Sequence, residues 1–218
     1  MIAKERLFET RGSLASALAA DVANALSHHV MSKGKACLAV SGGSTPKLFF
    51  ETLSRIDIPW RKISITLVDE RQVPESSERS NAKLVRENLL QNLAAGAQFT
   101  PLYKNVEAAQ ELSPDVVVLG IGNDGHTASF FPGGDNLAEA ISAKTAKRIV
   151  EISAPASGEP RLTFTLPALL EAGLLCLHLE GQEKRDVLNK ALAEGPAEAM
   201  PIRAVLRSEK PMTLYWCP

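Results

Sequence analysis

Short apolar runs alternate with segments whose apolar residues recur every three or four positions, and this alternation runs the length of the chain. Residues 114–132, PDVVVLGIGNDGHTASFFP, show it most sharply. Val116, Val117, Val118 and Leu119 make an unbroken apolar run between Pro and Gly, the mark of a strand buried on both faces, as in a parallel sheet. A glycine-rich turn carrying Asp124 and His126 follows. In open α/β sheets, ligands gather where such turns leave the carboxyl ends of strands.

The rest of the chain reads the same way. A short strand is predicted around residues 4–8. Leu14, Leu18, Val22, Leu26 and Val30 make an i, i+4 stripe, which predicts a long amphipathic helix starting after Gly12 and ended by Gly34. ACLAV is a second buried strand; after SGGSTP, KLFFETLSR is a short helix ending before Asp57. KISITLV is a third strand, running into Asp69-Glu70-Arg71. A loop rich in Pro, Glu and Ser leads to SNAKLVRENLLQNL, a helix capped by Ser80 or Asn81. Residues 94–113 read as loop with one short helical turn.

Beyond the central strand, AKRIVEIS is a strand, PASGEP a loop, and RLTFTLPALLEAG passes from extended to helical with Pro167 near the helix start. LLCLHLEG, EKRDVLNKALAEG, PIRAVLRS and MTLYW read as strand, helix, helix and strand. His178 falls mid-strand among leucines, where a structural role is expected. The adjacent His28 and His29 point to different faces of the first helix, so they too read as structural rather than as a metal site. No repeat or linker interrupts the pattern. It predicts one α/β domain over residues 1–218, with a mostly parallel sheet and helices on both faces.

Composition adds exclusions. The apolar share of 45% and charged share of 22% are those of a soluble globular protein, and a net charge of −1 gives no reason to expect nucleic acid or an anionic membrane as partner. The N-terminus lacks the apolar core of a secretion signal, and no run approaches a membrane span. Three cysteines are an odd set for a disulfide framework; reduced, buried thiols in a cytoplasmic protein are expected.

Three strand ends carry candidate chemistry. Ser41-Gly42-Gly43-Ser44-Thr45 pairs close backbone approach with hydroxyls and the start of a helix. The residues alone admit both a phosphate cradle and an ordinary capped turn; they do not make a Walker loop. Asp69-Glu70-Arg71 reads by itself as a solvated loop. On the same edge as SGGSTP, it could orient a sugar and neutralise an anion. Residues 120–126 contain a literal G-x-G-x-x-G, but Pro132 and Gly133-Gly134 leave room for no more than about two helical turns. The segment about 20 residues on, Lys144-Thr145-Ala146-Lys147, lacks the acid that a dinucleotide fingerprint requires. What remains is Asp124 two residues before His126: a carboxylate able to fix the tautomer of an imidazole that acts as general base.

Taken together, VSGGSTPKLF, VDERQVP with SNAKLVRENLL, LGIGNDGHTASFFPG, RLTFTLPALL, GQEKRDVL and the closing YW resemble, in order and over nearly the whole chain, the 6-phosphogluconolactonase branch of the sugar-phosphate isomerase and deaminase superfamily. The resemblance implies a three-layer, Rossmann-like, doubly wound fold and hydrolysis of 6-phospho-D-glucono-1,5-lactone, the second step of the oxidative pentose phosphate pathway, without cofactor or metal. It implies His126 as the base that activates water, Asp124 as its orienter, and Arg71 facing the phosphate or the developing oxyanion. It further implies Ser41, Gly42, Gly43, Ser44 and Thr45 as a phosphate loop, Lys184 as phosphate ligand, Arg161 as a further anion contact and Asp69 as a substrate-side carboxylate. Lys184 by itself reads as a surface helix residue. The implied partner is a small sugar-phosphate lactone, and the implied enzyme a cytoplasmic monomer or small homo-oligomer. Related deaminases carry a glutamate five residues after the histidine and an aromatic after the DE pair; here those positions are Phe131 and Arg71. A sugar-phosphate sensor without turnover is the remaining alternative, and the chain shows no helix-turn-helix extension.

Overall fold

The computed structural model describes residues 1–155 and 157–218. Its strands are β1 (Ile2–Leu7), β2 (Ala36–Val40), β3 (Ile63–Leu67), β4 (Asp69–Arg71), β5 (Gln98–Thr100), β6 (Val116–Leu119), β7 (Ile149–Ile152), β8 (Arg161–Phe164), β9 (Leu174–Glu180) and β10 (Met212–Cys217). Its helices are α1 (Arg11–Lys33), α2 (Lys47–Leu53), α3 (Asn81–Asn88), α4 (Val106–Gln110), α5 (Leu137–Ile141), α6 (Leu166–Leu170), α7 (Gln182–Leu192) and α8 (Ile202–Leu206). Seven strands form a parallel sheet in the order β1-β10-β9-β6-β2-β3-β5. Every residue of β2 and β6 is buried, as unbroken apolar runs covered on both faces require. α1 packs on α2 and α2 on α3; α7 packs on α8, α8 on α6 and α6 on α5, giving the layers on either side of the sheet. This is the expected doubly wound α/β architecture.

Local signals explain the longest element. Thr10 and Ser13 form a capping box at the start of α1, and Gly34, at φ 80°, closes it by donating its N–H to Val30 O. All five residues of the predicted stripe are buried, each contributing about 1.5–3 kcal/mol relative to exposure. The helix starts at Arg11 rather than after Gly12 because Thr10, not Gly12, supplies the cap.

Other expectations are corrected. β1 begins at Ile2, ahead of the predicted residues 4–8. α3, capped by Ser80, stops at Asn88 rather than running on to Leu93, and the chain turns back where Asn92 takes φ 49°. Residues 94–113 hold the edge strand β5 as well as the short helix α4. The largest correction concerns Asp69-Glu70-Arg71, which is a strand rather than a loop: β4 pairs antiparallel with β8, and β8 with β7, in a separate three-stranded sheet. The predicted strands around 146–153 and 161–165 thus belong to this small sheet. Hydrophobic period identifies a strand without naming its neighbour. Within the predicted loop 155–160, Ala156 lies outside the described residues, and the others are in neither helix nor strand.

Cys37, Cys176 and Cys217 are free and buried. Burial pushes the Cys37 and Cys176 thiols up to about 12, which leaves them inert. Among the described residues, no helix is long and apolar enough to cross a membrane.

Candidate active site

After β2 the chain proceeds outward to β3 and β5, then returns to place β6 on the other side of β2. The switch point is therefore the crevice beyond the carboxyl ends of β2 and β6, where ligands of such sheets bind. Both glycine-rich turns open into it. Ser41 stitches them together, donating its N–H (3.1 Å) and its hydroxyl (3.0 Å) to Val118 O.

The resulting cleft is lined by residues 41–46, Asp69, Arg71, Asn81, residues 118–122, His126, Arg161, His178, Glu180 and Lys184, among others. Ten of the eleven candidate residues thus share one cavity. Asp124 stands behind it, against His126.

The turn after β6 builds the His126 site. Gly122 donates its N–H to His126 O at 2.8 Å, folding the imidazole back over the glycine. A Cβ on Gly122 would meet His126 Cε1 and Nδ1 at 2.1 Å, so any side chain at this position would displace the imidazole. Asp124 Oδ1 accepts the His126 backbone N–H at 3.1 Å and lies 2.5 Å from Nδ1. With Nδ1–H turned to the carboxylate, Nε2 carries the free lone pair. Burial pushes the Asp124 carboxyl up, but the His126 ring and N–H outweigh it and hold it below the usual carboxylate range. Phe131 packs on the imidazole with ring centroids 4.4 Å apart, and the Arg161 guanidinium lies 5.1 Å from the same phenyl centroid.

Alternation along β4 sorts its three charged residues. Asp69 faces the cleft side, 2.5 Å from the Ser129 hydroxyl and 3.6 Å from Arg161. Glu70 turns the other way and caps α3, accepting from Asn81 N (2.9 Å), Ala82 N (2.7 Å) and Ser80 Oγ (3.2 Å). Arg71 returns to the cleft side and donates to Asn81 Oδ1 at 3.2 Å. Burial holds the Glu70 carboxyl above the usual carboxylate range, an effect its backbone N–H partners only partly offset. The Nε–H groups of Arg71 and Arg161 are buried without a hydrogen-bond partner among the described residues.

Two side chains here escape sequence reasoning. Asn81 reads as a helix cap, yet its amide donates to Asp69 O at 2.9 Å, and a Cβ on Gly42 would meet its Oδ1 at 1.9 Å. Gly42 is a glycine because α3 lays Asn81 directly on it. His178, expected to be structural, stands in the cleft wall with Glu180. Lys184 leaves the helix surface to donate to Asn123 Oδ1, beside the His126 turn. His28 and His29 stay apart from the cleft; His29 Nδ1 lies 3.5 Å from Asp115 Oδ1.

The family model described as glucosamine-6-phosphate isomerases/6-phosphogluconolactonase matches residues 9–216. A 6-phosphogluconolactonase of Rhizobium meliloti is 48% identical over all of both chains. One from Pseudomonas aeruginosa is 42% identical over 94% of this chain and 90% of its own. The crystal structure of a 6-phosphogluconolactonase from Shewanella baltica superposes with a TM-score of 0.94 at 39% identity, covering 99% of this chain and 97% of that one. With the match spanning nearly every element from α1 to β10, the chain belongs to the glucosamine-6-phosphate isomerase/6-phosphogluconolactonase family.

Proposed function

We propose that this chain, acting as one domain, hydrolyses 6-phospho-D-glucono-1,5-lactone to 6-phospho-D-gluconate, with His126 as general base. The observation that carries the reading is an imidazole held by Asp124 at 2.5 Å in a cleft that also contains a glycine–hydroxyl loop, two arginines and a lysine. The shared name of the relatives supports the same substrate. The unpartnered Nε–H groups of Arg71 and Arg161 suit an anionic ligand.

In this mechanism His126 Nε2 takes a proton from water as the water oxygen attacks the lactone carbonyl. The carbonyl electrons move to oxygen, whose charge a nearby guanidinium offsets. Collapse breaks the bond to the ring oxygen, which receives the proton from His126 and becomes a hydroxyl. The base is regenerated, and the released acid ionises in solution. Residues 41–45, Arg161 and Lys184 hold the phosphate, a remote handle whose binding energy positions the ring. A cytoplasmic location fits the three free, buried thiols, and the enzyme is read as a monomer or small homo-oligomer. A deaminase relay would need a proton-carrying group where Phe131, buried at 3% exposure, packs on His126.

A pH-stat or coupled assay on freshly made lactone, corrected for spontaneous hydrolysis, tests the reading. Acceleration is expected; binding of 6-phosphogluconate with lactone decay at its spontaneous rate would leave a sensor instead. Lys184→Ala should raise KM for the phosphorylated lactone about 10–100-fold, the range for losing a charge-assisted hydrogen bond. If that variant kept wild-type discrimination between phosphorylated and plain gluconolactone, the handle would lie elsewhere. Among the described residues, no three His, Cys, Asp or Glu side chains gather as metal ligands do, so EDTA should leave turnover unchanged. Loss on chelation with recovery on adding a divalent ion would refute this.

A further inference from the structure

The strand that leads to Lys184 carries a second titratable pair, which the hydrolysis above does not use. His178 and Glu180 both line the cleft at the carboxyl end of β9. His178 Nε2 lies 3.1 Å from Glu180 Oε1, and Glu180 Oε2 lies 3.2 Å from Arg11 Nε. The side chains are built into the wall rather than solvated, at 2% and 9% exposure. His178 Nδ1 is buried with no hydrogen-bond partner among the described residues. A buried polar pair is no more stabilising than an apolar pair of similar volume, and this strand uses leucine at 175, 177 and 179. An orphaned ring nitrogen adds a further penalty unless a ligand or water meets it. Stability alone does not account for the pair.

Position suggests what does. β9 lies beside β6, with Leu177 opposite Leu119, so the pair flanks the turn that carries His126. Lys184 follows four residues after Glu180, in the first turn of α7. A lactone held by its phosphate and attacked at its carbonyl still presents ring hydroxyls, each both donor and acceptor. Of the neighbouring carboxylate and amide, Asp69 is engaged by Ser129 and Arg161, and Asn81 by Arg71 and the Asp69 carbonyl. We propose that His178 and Glu180 form the polar wall that recognises the ring hydroxyls of a phosphorylated aldonolactone and so sets which sugar is accepted. The proposal rests on the lactonase reading above.

The test compares wild type, Glu180→Gln and His178→Asn on 6-phosphogluconolactone and on phosphorylated lactones with one ring hydroxyl inverted or removed. Wild-type turnover of the parent lactone is measured first; its absence would sink the lactonase reading and the wall with it. Given that turnover, both variants should raise KM for the parent about tenfold, as losing one hydrogen bond to a charged group does. With kcat little changed, the loss lies in binding, and the gap between the parent and at least one altered lactone narrows. Wild-type discrimination across all the lactones by a folded Glu180→Gln enzyme overturns the proposal, whether or not His178→Asn folds.

Discussion

His126→Ala should leave a folded protein that turns over 6-phosphogluconolactone about 10²–10⁴-fold more slowly, the share of a rate that one positioned general base supplies. The fold should survive because the side chain is 31% exposed and Asp124, its one hydrogen-bonded partner among the described residues, is 38% exposed. KM should change little, since the residues proposed to hold the phosphate are untouched. Circular dichroism checks the fold, and the coupled assay the rate. Near-wild-type turnover would remove His126 from the chemistry. Asp124→Asn makes a finer test. Its amide nitrogen, if turned to Nδ1, holds the proton on Nε2, the tautomer that cannot accept one from water. A loss of about tenfold or more is expected, within the range assigned to general-base catalysis.

Gly122→Ala should be nearly as damaging, although glycine has no side chain to do chemistry. The added methyl would sit 2.1 Å from His126 Cε1 and Nδ1 and 2.8 Å from Asp124 Oδ1, so it strikes the base and its orienter together. Since Gly122 N is bonded to His126 O at 2.8 Å, the backbone resists moving aside and the imidazole must swing away. A misplacement of about 1 Å costs on the order of 10²-fold in rate. The expected signature is a fall in kcat with the phosphate-dependent part of binding retained. Wild-type kcat in this variant would mean that the ring tolerates a different seat, and that the close packing seen here is not what positions the base.

The candidate site residues were legible to different degrees. Asp124 and His126 are two positions apart, so the turn brings them together whatever the rest of the chain does. The glycine loop was equally local. Asp69, Glu70 and Arg71 were not: as a string they look like a solvated loop, and only pairing with Arg161, Leu162 and Thr163 makes them a strand whose alternation sends Glu70 to cap α3 while its neighbours face the cleft. Asn81 shows why Gly42 must be glycine, yet the two lie far apart in sequence and in different elements. His178 is buried, as its leucine neighbours predict, but its place at a cleft wall was hidden for a related reason. Leucines on both sides mark a buried strand, but the end of that strand forms a cleft wall.

From the order of its amino acids alone, this protein's layered α/β character, the caps of α1 and α3 and the Asp–His turn were already decided, because each depends on residues within about one or two turns of chain and on hydrophobic period. Tertiary structure alone decided that a second, antiparallel sheet exists, that β2 and β6 meet at the switch point, and that Arg71, Arg161, Lys184, His178 and Glu180 face one cavity. Those outcomes follow from which strands become neighbours, and burial patterns record that a strand is covered without recording by what.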